Sequence, residues 1–126
     1  MRLVITAVCI LALSSFGGVY AQEKPQVVRL AKLVIDSIQL ENYKAALKEE
    51  IEASIKFEPG VLTLYAMSEK GNSTHFTILE IYANAEGYKA HLQTPHFLKY
   101  KSKTKGMVKS LELVETIPLI PSMKIK

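Results

Sequence analysis

Residues 61–82 read VLTLYAMSEKGNSTHFTILEIY, and the alternation within this stretch decides the fold. Val61 to Met67 and His75 to Tyr82 are runs rich in β-branched and aromatic residues. Lys70-Gly71-Asn72-Ser73 between them is a turn, so the two runs form an antiparallel hairpin. In the second run Phe76, Ile78 and Tyr82 point one way, and Leu79 and Ile81 the other. A sheet with one wet face would alternate cleanly between apolar and polar residues; this one is apolar on both sides. Helices can cover one side only. The other is expected to pack against the same face of a second copy, which predicts a two-fold homodimer.

Upstream, Val28 to Asp36 alternates as a first strand, with Arg29, Ala31, Leu33 and Ile35 on one side and Leu30, Lys32, Val34 and Asp36 on the other. Asp36 or Ser37 caps the helix after it. Leu40, Tyr43, Leu47, Ile51 and Ile55 recur at three and four residues and define the apolar stripe of that helix, which ends at Pro59-Gly60. Downstream, Asn84 or Ala85 starts a short helix carrying Tyr88, His91 and Leu92. Pro95 restarts it as a further helix through Phe97, Leu98 and Lys101, closed near Gly106. Ser110 to Ile117 is a fourth strand. The order strand, helix, strand, strand, helices, strand gives an α+β class: a ferredoxin-like, four-stranded antiparallel sheet with helices on one face.

The ends carry different signals. Arg2, an apolar run from Leu3 to Phe16 and Val19-Tyr20-Ala21 form the three parts of a secretion signal, so residues 1–21 are expected to be removed on export to the periplasm or medium. That apolar run falls short of the roughly 20 residues a membrane span requires, and Thr6-Ala7-Val8 before Cys9 is a poor lipoprotein signal, so no stable membrane anchor is expected. The removed segment holds the only cysteine, which leaves the 105 residues 22–126 without a disulfide, a thiol nucleophile or a thiolate metal site. Residues 22–27 form a polar leader, 28–117 a single domain and 118–126 a tail broken by Pro118 and Pro121. Losing Arg2 takes the formal charge from +4 to +3, too mild to argue for nucleic acid. Gly60, Gly71, Gly87 and Gly106 are isolated, so no phosphate-binding loop is present.

Several side chains could carry chemistry. Glu80 shares a strand face with Phe76, Ile78 and Tyr82. Without partners, a carboxylate there is desolvated and its pKa rises, as suits an acid or base near neutrality; with partners, it is structural. His91 lies near the stripe of Tyr88 and Leu92, where it is either a base for a phenol or a core or capping histidine. His96 stands ahead of Phe97, where it could cap the third helix. The two are five residues apart across Pro95, not the three or four of a helical metal pair, and no metal is expected. Tyr65 and Tyr82 are among the tyrosines able to line a cleft for a flat aromatic molecule. Lys99, Lys101, Lys103, Lys105 and Lys109 scatter around a helix and read as solvated surface.

Glu58-Pro59-Gly60, Ile78 to Tyr82, His91 and Thr94-Pro95-His96-Phe97, in this order and at these separations, resemble the antibiotic-biosynthesis-monooxygenase domain family, which includes small quinol monooxygenases. The resemblance covers about Val28 to Ile117. It implies a dimeric α/β barrel and oxygenation of a phenolic or quinol-like compound by dioxygen without flavin, haem or metal. It also implies Glu80 or His91 as base, with Tyr82 shaping the pocket; Tyr65, His96 and Phe97 are the further residues expected around the substrate. Many members carry tryptophan where this chain has Tyr82. Haem-degrading relatives need an asparagine on the first strand and a tryptophan, and both are missing here. The expectation is a cofactor-independent monooxygenase of a small quinol or phenol. The alternative is a non-catalytic dimer of the same fold that binds a small apolar ligand.

Overall fold

The computed structural model describes residues 24–122. The expected signal, residues 1–21, lies outside them, as do residues 123–126 of the tail. The elements run β1 (Val27–Ile35), a 3-10 turn (Ser37–Gln39), α1 (Leu40–Phe57), β2 (Val61–Glu69), β3 (Asn72–Tyr82), α2 (Ala85–His91), α3 (Pro95–Thr104) and β4 (Val108–Thr116). All pairings are antiparallel, in the order β2-β3-β1-β4. This is the ferredoxin-like sheet, with the three helices on one face. No helix among the described residues is long and apolar enough to cross a membrane.

Local chemistry explains the boundaries. The Asp36 side chain accepts from the Ile38 amide and turns the chain into α1. Asn84 caps α2 by accepting from the Gly87 amide at 2.8 Å. Thr94 accepts from the Phe97 amide with Pro95 at the start of α3, where the missing N–H costs nothing.

Ala31, Leu33, Ile35, Phe76 and Ile78 from the sheet meet Tyr43 and Leu47 from α1 to form the core. The Tyr43 ring meets Phe76 edge-on at 5.3 Å, and its hydroxyl bonds the Tyr100 hydroxyl of α3 at 2.8 Å. The buried stripe of α1 departs from the expected one after its second turn. Glu50 and Ser54 are buried there, Ile51 is half-buried and Ile55 is exposed. The polar pair can face inward because Ser54 Oγ donates to Glu50 Oε1 at 2.7 Å, so its polar atoms are not stranded.

The second face of the sheet carries Leu30 opposite Leu79 and Val114, and Val28 opposite Ile81, with Tyr65 and Met67 exposed at the β2 edge. No helix covers it.

One backbone contact locks the turn after α1 against α2. The Ala83 amide donates to Gly60 O at 2.9 Å, and a Cβ built on Gly60 would lie 2.9 Å from Gly87 Cα. Both partners are backbone, so neither can swing aside. Gly60→Ala is therefore expected to lower stability by about 1–3 kcal/mol. Gly71→Ala, with nothing among the described residues within 4 Å of its Cβ, should be neutral or gain up to about 1 kcal/mol. Chemical denaturation of both variants checks this; equal midpoints would contradict the close-approach account.

Candidate functional site

The turn that Gly60 closes carries Glu58 beneath α2 and α3. Its carboxylate receives two imidazoles: His91 Nδ1 lies 3.0 Å from Oε2 and 3.2 Å from Oε1, and His96 Nε2 lies 2.6 Å from Oε2. Burial pushes the Glu58 carboxyl up, but the hydrogen bonds from His96 and His91 outweigh it and hold the group below the ordinary carboxylate range. An ionised carboxylate can only accept. His91 Nδ1 and His96 Nε2 must therefore both carry hydrogen, and the free nitrogen of a neutral His91 is Nε2.

That nitrogen lies 3.4 Å from Glu50 Oε1. Both residues are almost fully buried, and both line a cavity of about 790 Å³ between the sheet and the helices. Desolvation raises the Glu50 carboxyl despite the Ser54 hydrogen bond and the nearby histidines. Leu64, Ile78, Leu92 and Phe97 supply apolar wall, and the Phe97 ring packs 4.9 Å from the His91 ring.

Glu80 also lines this cavity, and it has partners. Tyr82 donates to Oε1 at 2.6 Å, and Arg29 Nε stands 3.6 Å from Oε2. Of the two sequence-based readings of Glu80, this geometry is that of the partnered carboxylate. Burial and the Glu80 charge push the Tyr82 hydroxyl far up, so it stays a donor. Tyr82 itself is fully buried behind Glu80 and is not part of the cavity wall. Arg29 stacks over Tyr88 at 4.4 Å and reaches Glu115 Oε1 at 3.4 Å, while its buried Nε–H has no hydrogen-bond partner among the described residues.

Four of the six residues singled out from the sequence gather here: Glu80, His91 and Phe97 on the cavity, and His96 behind His91 on Glu58. His96 does not cap α3; Thr94 does. Tyr82 serves as support. Tyr65 is a correction: strand alternation pairs it with Leu79 on the opposite face, away from the cavity. Glu50 and Arg29 were missed. The signals were present: Glu50 and Ser54 continue the spacing of Tyr43 and Leu47, and Arg29 alternates with Ala31, Leu33 and Ile35. Glu58, His91 and His96 also offer three ligand atoms within 4.8 Å of one another, enough to hold a divalent cation if both imidazole protons left. As described, Glu58 Oε2 answers both protons directly, so the trio is a hydrogen-bonded unit.

The antibiotic biosynthesis monooxygenase family matches residues 27–103, more than half of the chain. Among solved structures, a candidate antibiotic biosynthesis monooxygenase from Bacteroides thetaiotaomicron is 55% identical, with TM-score 0.80 over 81% of this chain and 97% of that one. A candidate monooxygenase from Lactobacillus acidophilus is 33% identical, with TM-score 0.73 over 77% of this chain; the match spans 46% of that longer protein. A third, from Nitrosomonas europaea, is 22% identical with TM-score 0.70 over 75% of this chain and 99% of that one, and shares the fold. Among curated proteins, none matches.

The raised Glu50 carboxyl fixes a sign. Its stabilising contribution is complete below its unfolded pKa and is lost as pH rises through the higher folded value. Glu50→Gln stays neutral and keeps an oxygen for Ser54. It should raise Tm near pH 8, with the gain vanishing toward about pH 4. Thermal melts across pH test this; a gain independent of pH, or a loss at pH 8, would contradict the assignment.

Proposed function

The chain belongs to the antibiotic biosynthesis monooxygenase family, and we propose that it oxidises a phenol or quinol with dioxygen in the cavity beside His91. One observation carries the reading: His91 presents Nε2 next to Glu50 on an apolar wall, while Glu58 fixes the other nitrogen. A phenolic hydroxyl placed there gives its proton to the Glu50–His91 pair. The imidazolium so formed lies between two carboxylates. The phenolate passes one electron to dioxygen, and the two radicals couple at a ring carbon to form a ring-bound peroxide anion. The O–O bond then breaks with loss of the ring C–H proton. One oxygen stays on the ring as a quinone carbonyl. The other leaves as water, completed by the proton His91 received. Apolar walls keep bulk water from the phenolate and hold the two reactants together. Glu58 acts through His91 as a positioning residue. If residues 1–21 direct export, the substrate is met outside the cytoplasm.

Oxygen uptake with a panel of benzo- and naphthohydroquinones tests this. The wild type should exceed the uncatalysed rate, and His91→Asn should lose about 10²–10⁴-fold. Glu58→Gln should lose less than His91→Asn. A wild type that binds the compounds but consumes oxygen at the background rate would establish the ligand-binding alternative instead.

We propose also that the uncovered sheet face closes a homodimer. Leu30, Leu79 and Ile81 are half-buried on that face with no helix of the described residues over them, and a second copy offers the complementary surface by symmetry. Light scattering at micromolar concentration should give twice the chain mass, and Leu30→Lys with Leu79→Lys should give one. A monomeric wild type would contradict this.

A further inference from the structure

The basic run of α3 divides into two kinds of lysine. Lys99 and Lys103 turn outward and meet Glu49 of α1. Lys101 and Lys105 turn the other way, line the cavity, and have no carboxylate partner among the described residues. The third cation of the wall, Arg29, is already answered by Glu80 and Glu115 and stacked on Tyr88.

The acidic groups of the cavity lie elsewhere. Glu50 is beside His91, and Glu80 is hydrogen-bonded by Tyr82, whose ring is 5.4 Å from the His91 ring. The wall is thus acidic at the His91 end. Lys101 and Lys105 add cationic side chains to the same wall. Phe97 packs on His91. Lys101 of α3 and Lys105, the αR cap at its C-terminal end, follow it by four and eight residues. At a rise of 1.5 Å per residue they stand about 6 and about 12 Å farther along the helix. The volume of about 790 Å³ lies in the range that encloses drug-sized ligands of roughly 300–1,000 Å³, so a single hydroquinone ring would leave much of it unfilled.

From this polarity we infer the class of substrate: a phenol of more than one ring that carries an anionic group, such as a carboxylate, at the end remote from the reacting hydroxyl. The inference rests on the proposed role of His91. It adds that the anion lies between Lys101 and Lys105, and that Glu50 disfavours the reversed orientation. Two like-charged side chains without a counterion attract an anion over several ångströms, and the acidic inner end makes the preference directional.

The test is a matched pair of probes, 6-hydroxy-2-naphthoate and its methyl ester, with Kd read by fluorescence at low ionic strength. This readout needs no turnover. The charged probe is expected to bind roughly 3- to 30-fold tighter than the ester. The preference should shrink as salt is raised. It should vanish in Lys101→Gln, Lys105→Gln and survive in Lys99→Gln, Lys103→Gln. All four side chains are exposed, so both double variants are expected to fold. Equal affinities in the wild type, or a preference that survives loss of Lys101 and Lys105, overturns the inference while the monooxygenase reading stands. Binding of neither probe overturns this inference and leaves oxygen uptake as the separate judge of the other.

Discussion

One carboxylate organises this molecule. Glu58 accepts hydrogen bonds from His91 and His96 at the same edge of the fold where the Gly60 turn touches α2. The contact joins the end of α1 to both downstream helices. It is a charged acceptor in a mostly buried place, so each hydrogen bond to it is stronger than a neutral one and costly to lose. Through it the orientation of His91 is decided, and through His91 the character of the cavity wall.

A second, separate arrangement keeps the cavity open. Arg29 and Glu80 are cross-strand partners on β1 and β3, set among apolar neighbours that alternate with them. Tyr82 donates to the carboxylate from behind and Tyr88 stacks on the guanidinium. Polar groups held this way stay in place instead of collapsing into the space between sheet and helices. The two arrangements divide the labour: one supports the wall, and the other presents a nitrogen to whatever occupies the cavity.

The sheet was legible in the sequence because a period of two is unambiguous. Residues 76–82 declared both faces, and Glu80 was placed inward on that ground alone. Helix α1 was legible for its first half, where Tyr43 and Leu47 face the core. Its second half departs from the expected stripe, where Glu50 and Ser54 are buried beside a half-buried Ile51 that still packs on the core, and Ile55 is exposed. Hydrophobicity is a guide to burial only where polar side chains lack partners. Here Ser54 and His91 supply them, and His91 lies 41 positions beyond Glu50 in the chain. The same distance hid the trio: spacing along α2 and α3 spoke against a joint role for His91 and His96, and only the return of the chain at Glu58 brings them together. Tyr65 failed for the opposite reason. Its residue type suited a cleft, but its register with Leu79 sends it to the other face.

The ionisation of Glu58 and the orientation it imposes can be read without a substrate. Nitrogen-15 NMR of the imidazole rings at neutral pH reports which nitrogen of each histidine carries hydrogen. The account predicts hydrogen on His91 Nδ1 and on His96 Nε2, with both patterns lost in a Glu58→Ala protein. A His91 ring bare at Nδ1 and protonated only at Nε2 would contradict it, because the nitrogen facing Glu50 would then be unable to accept a proton.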